Sequence, residues 1–124
     1  MSRDLLRARD YLKHMIAAVS QIQIYSEGKS AKEFLSDRLL QDAIILNFEV
    51  LGEASRNLLD LSIDAPSRFP AIPFAAIYAP RNQLSHGYFA VDLDIVWKVI
   101  ERDIPPLRKE LEAAAASLNT APNG

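Results

Sequence analysis

Apolar residues recur at three- and four-residue steps along most of the chain, the period of helices buried along one side. Leu5, Tyr11, Leu12, Met15, Ile16, Val19, Ile22 and Ile24 form the first stripe, with Arg3, Arg7, Asp10 and Lys13 on the opposite side. Ser2 is placed to cap that helix and Asp4 suits the positive end of its dipole, while Gly28 is the natural stop. Ser30 and Glu33 have capping-box spacing ahead of Phe34 and Leu35, which predicts a short helical turn. A second long helix is predicted from Ser36 or Asp37 to about Leu59, burying Leu40, Ala43, Ile44, Asn47, Val50, Leu51, Ala54 and Leu58. Leu39, Leu46 and Phe48 widen that face, as in a helix central to a bundle or set in a subunit interface.

Pro66, Pro70 and Pro73 forbid a long helix and predict a loop, with one turn around Ser67–Phe69. A short helix is expected over Phe74–Tyr78. Pro80 suits the first turn of the next segment and Gly87 its end. Asp92 caps the last main helix, which turns Leu93, Val96, Trp97 and Ile100 inward. Pro105 and Pro106 interrupt it, and Leu107, Leu111, Ala114, Ala115 and Leu118 carry the pattern on. No run long enough to judge alternates with period two. The expectation is an all-α, up-and-down bundle of four principal helices with short extra turns. It forms one domain over 1–118, followed by a flexible tail over 119–124.

Composition narrows the chemistry. A chain of 124 residues fits a single domain, and 49% apolar with 24% charged residues is ordinary for a folded one. Net charge is −2: residues 1–90 balance, and the deficit falls after them. Without a basic block, bulk electrostatics cannot drive nucleic-acid or anionic-membrane binding, so any such role needs a small local site. The absence of cysteine excludes disulfides, thiolate metal sites and a cysteine nucleophile. The opening MSRDLLRARDYLKHM is too charged for a secretory h-region, and no apolar run approaches the roughly 18 residues of a membrane span. A cytoplasmic protein is expected.

The informative stretch is Arg81 to Tyr88, RNQLSHGY. On a helix Arg81 and His86 lie about 140° apart, while Asn82 shares a face with His86. With Gly87 as the stop, His86 falls in the last turn, where the dipole favours its imidazolium. Tyr88 follows, free to present its hydroxyl outward. Cutting RNA without a metal requires a proton acceptor for the 2′-hydroxyl, a donor for the leaving oxygen, and fixed positive charge at the phosphate. Histidine can do the proton work near neutrality, and the planar guanidinium matches phosphate oxygens. One of each is thin for a monomer; two copies about a two-fold axis would put two of each in one cleft.

On spacing alone the plainer readings hold. An exposed Arg–His pair usually marks a solvated helix face. His14 reads as a boundary residue, Trp97 and Phe48 as core, and Tyr88 with Phe89 as a tether for the loop. His86 with Asp92 and Asp94 lacks the rigid spacing of a metal site.

Resemblance changes the balance. Arg81-x-x-x-x-His86-x-Tyr88 resembles the signature of the HEPN superfamily, in its HepT-like branch of bacterial and archaeal toxins. Asp42–Leu58, with Gly52–Glu53, resembles that branch's second long helix, and Ile72–Leu107 resembles its motif segment and the following Asp92, Asp94, Trp97 helix. Pro80 departs from the pattern but removes none of the reactive groups. The resemblance implies a HEPN-like homodimer and a metal-independent endoribonuclease toxin needing no cofactor. It implies Arg81 and His86 as catalytic residues, Asn82 as a helper, and support from Glu53. It also implies a cognate minimal nucleotidyltransferase antitoxin, in a heteromeric complex, that transfers AMP from ATP onto Tyr88. Such a chain would bind RNA rather than DNA, touch nucleotide only through that switch, and carry phosphate on its tyrosine when silenced. The competing reading is a non-catalytic HEPN module that binds a nucleotidyltransferase or a nucleotide and cuts nothing.

Overall fold

Ser2 opens the first helix as its spacing predicts, its Oγ accepting from the Leu5 amide at 3.1 Å. The structure, a computed structural model, describes residues 2–77 and 92–119. Helix α1 (Arg3–Ser26) ends at Glu27, and Gly28 takes the left-handed φ of +72° that turns the chain. Ser30 and Glu33 close both hydrogen bonds of the capping box over α2 (Ala31–Ser36). Asp37 caps α3 (Arg38–Leu59) through the Leu40 amide at 3.1 Å. Asp64, at a φ of 53°, leads into the one-turn α4 (Ala65–Arg68). Residues 74–77 are helical. Asp92 accepts from the amides of Asp94 and Ile95 and starts α5 (Leu93–Arg102). Helix α6 (Ile104–Asn119) follows, its two prolines in the first turn, where a missing amide proton costs least.

These helices make an all-α bundle with one continuous core. Helix α1 lies chiefly against α3 and α6, and α2 is clamped between α3 and α5. From α1 the core takes Ala8, Leu12, Met15, Val19 and Ile22; from α3 Ile44, Phe48, Leu51 and Leu58; from α6 Leu107, Leu111 and Leu118. Phe34 stacks on Trp97 at 5.3 Å between ring centres. Gln41, buried, donates from Nε2 to the Phe34 carbonyl at 2.9 Å and so fixes α2 onto α3. At the other side Arg108 donates to Gln23 at 2.6 Å and to Glu112 at 2.7 Å, tying α6 to α1.

Four burial expectations fail: Leu39 and Leu46, read as widening the buried face of α3, are 81% and 57% exposed. Val50 is 42% exposed and Ile24 59% exposed. Val50 lies roughly 40° from Leu46, on the side of α3 away from the buried Ile44, Phe48 and Leu51. Ile24 belongs to the last turn of α1, two residues past Ile22, the last buried residue of its stripe. Ala43 and Asn47 are half-buried rather than buried. Helix α6 runs through Asn119, one residue into the expected tail; the rest of that tail lies outside the described residues. Among the described residues no helix is long and apolar enough to cross a membrane.

Candidate active site

Arg81, Asn82, His86 and Tyr88 all lie outside the described residues, as do Pro80 and Gly87. The structure describes the two anchors of the segment that carries them. Upstream, Ile72, Phe74 and Ile77 are all buried, and the Ile77 amide donates to the Pro73 carbonyl at 3.1 Å. Their apolar side chains give the chain a reason to dock after the proline-rich loop. Downstream, the Asp92 carboxylate satisfies two amides at the start of α5, while Val96, Trp97 and Ile100 bury that helix.

The upstream anchor meets the bundle near the far end of α5. Ile77, Ala76 and Pro73 line a small apolar cavity with Phe48 and Leu51 of α3, Val99 of α5, and Ile104 and Leu107 of α6. Among the described residues that line it, Asp103 is the one acidic side chain. From Asp92 to Val99 is seven residues, about 10 Å of helix. The described residues on either side of the motif segment are thus each packed or capped on the bundle. Rigid support of this kind is what a catalytic constellation on a connecting segment needs.

The remaining candidates separate clearly. Trp97 is core, as its spacing suggested. Phe48 is core too. His14 is exposed on α1 and stands edge-on to Tyr11, the boundary role expected of it. Asp92 is used as a cap and Asp94 is exposed. Among the described residues no three His, Asp or Glu side chains gather as a metal-holding group; the trio with His86 falls outside them. Glu53 is on the exposed side of α3. The residue that sequence reasoning missed is Gln41, which orients α2 rather than reacting; a lone amide flanked by the core pattern of Leu40 and Ile44 was its only signal.

Comparison with known proteins covers most of the chain. Residues 15–114 match the family model described as Ribonuclease HepT-like. A protein of Thermococcus cleftensis named "Probable ribonuclease HepT" is 34% identical over 104 residues, covering 84% of this chain and 92% of that one. A protein of Caldanaerobacter subterraneus named "Putative RNase TTE0752" is 31% identical, over 84% of this chain and 90% of its own. A Methanocaldococcus jannaschii protein named "Gamma-glutamylcyclotransferase and putative RNase MJ0434" is 34% identical over 82% of this chain, which spans only 44% of that longer protein. No solved structure matches the chain.

Proposed function

The chain belongs to the HepT-like ribonuclease family, and on that premise we propose that it is a metal-independent endoribonuclease acting as the toxin of a toxin–antitoxin pair. The observation that carries this reading is Arg81-x-x-x-x-His86-x-Tyr88 inside the matched span, on a segment whose two ends are fixed to the core. Arg81 and His86 are the catalytic residues and Asn82 orients the imidazole or the phosphate.

The chemistry follows from the groups. A neutral His86 takes the proton of a ribose 2′-hydroxyl, and that oxygen attacks the adjacent phosphorus. The bond from phosphorus to the 5′-oxygen breaks, and a protonated His86 from a second copy supplies the proton that oxygen needs. The products are a 2′,3′-cyclic phosphate and a free 5′-hydroxyl, with one proton accepted and one donated. Two Arg81 guanidinium groups neutralise the charge that builds on the phosphate oxygens. Two copies are required because one chain brings a single His86 and a single Arg81.

Control falls to Tyr88. AMP transferred from ATP onto its hydroxyl oxygen by a cognate minimal nucleotidyltransferase, with pyrophosphate leaving and the phenolic proton lost, adds bulk and negative charge where RNA phosphates must enter. The near-neutral net charge of −2 favours the second reading, a module that docks a nucleotidyltransferase and cuts nothing. Expression in a bacterial host separates the two. Wild type is expected to arrest growth, and both Arg81→Ala and His86→Ala are expected to be harmless at equal abundance. Arrest by His86→Ala would rule out the catalytic assignment.

A further inference from the structure

Trp97 is the single tryptophan of the chain and only 7% exposed, yet its indole N–H meets no acceptor among the described residues. A buried indole N–H ordinarily has a partner. Trp97 lines a groove of about 580 Å³ where the last turn of α1 meets α5 and the start of α6. That volume lies within the range of small-molecule sites.

Two cations line the same groove. Arg108 is held in place, with Nη1 donating to Gln23 at 2.6 Å and Nε to Glu112 at 2.7 Å, which leaves the Nη2 protons unshared among the described residues. Lys29 follows Gly28, whose φ of +72° turns the chain, and its amide donates to the Ser26 carbonyl at 3.0 Å. Glu27 and Glu101, both exposed, add two carboxylates that can only accept.

These groups select a ligand. A cation is repelled by Lys29 and Arg108, and a bare inorganic anion leaves Glu27 and Glu101 opposed. A molecule that answers both carries an oxyanion at one end and hydroxyl donors at the other. Three donor groups suit the three terminal oxygens of a phosphate monoester better than the two of a carboxylate. Sugar hydroxyls donate to carboxylates, as ribose does to the acidic residue of dinucleotide sites. We propose that this groove binds a sugar phosphate, with its phosphate on Lys29, Arg108 and the Trp97 indole N–H and its hydroxyls on Glu27 and Glu101. A free pentose phosphate and a nucleoside 5′-monophosphate share that chemistry, and neither requires the RNA-cleaving reading.

Trp97 reports occupancy directly, since no other tryptophan contributes fluorescence. Titration of the full chain with ribose 5-phosphate is expected to shift that emission saturably, with the same midpoint in calorimetry. Ribose and inorganic phosphate, each carrying only part of the recognised groups, should bind at least about tenfold more weakly. Lys29→Gln should weaken ribose 5-phosphate about tenfold. Glu101→Gln should weaken it too, while leaving inorganic phosphate bound no less well. Both positions are exposed, so the fold is kept. AMP binding more tightly than ribose 5-phosphate assigns the groove to nucleotides, and AMP binding no better assigns it to free sugar phosphates; either order supports the site. No saturation by either compound, equal affinity for inorganic phosphate, or indifference to both substitutions overturns it. So does loss of binding in Arg81→Ala, which would put the ligand at the motif instead.

Discussion

His86 and Phe34 mark the two kinds of work a single residue does here. Phe34, fully buried, holds the short α2 onto the bundle through its stack with Trp97, and its carbonyl receives Gln41. Phe34→Ala should cost about 3–5 kcal/mol of unfolding free energy by denaturant titration, combining lost transfer energy with the cavity left behind. The work proposed for His86 is chemical instead. A positioned acid or base contributes about 100- to 10,000-fold, so His86→Ala should lower RNA cleavage by that order with its midpoint of unfolding unchanged. Tyr88→Phe should cut RNA and yet gain no mass when incubated with the cognate nucleotidyltransferase and ATP, because the ring remains and the acceptor oxygen is gone. Modification of Tyr88→Phe at the wild-type level would place the acceptor elsewhere.

Helix ends were the most legible elements, because a cap is a local matter of spacing. Ser2, the Ser30–Glu33 box, Asp37 and Asp92 all close the hydrogen bonds their positions implied. Asp92→Ala should cost about 1 kcal/mol as a lost cap, and should also lower cleavage, since it fixes the downstream end of the motif segment. Ser2→Ala, a cap remote from that segment in sequence, should lower stability without changing the rate per folded molecule. Which side of α3 faces the bundle was less legible. Val50 sits at an apolar position of the repeat, but burial depends on where α1 lies against the helix, and periodicity carries no record of that. The proposed catalytic motif rests on resemblance. Spacing alone made Arg81 and His86 an ordinary helix face, and the chemistry proposed for them calls for a second chain that no local pattern encodes.

For the molecule as a whole, a net charge of −2 means that, under the proposed function, RNA would be held by a few convergent groups and not by a broad positive field. Two Arg81 side chains per cleft predict a shallow salt dependence, with log affinity for single-stranded RNA falling against log salt at a slope of about −1 to −2. A slope several times steeper would reveal a basic track outside the motif. The bundle itself was readable almost end to end, since each helix buries one periodic face; which outward leucines stay exposed was not, because an outward leucine is ambiguous until the inward side is known. The most direct test of the account is the cleavage of an end-labelled RNA by the purified protein in excess EDTA, with the new ends identified. The account predicts 2′,3′-cyclic phosphate ends from wild type and at least about a hundredfold less product from both His86→Ala and Arg81→Ala. Equal cleavage by the three proteins, or wild-type cleavage that EDTA abolishes, would contradict it.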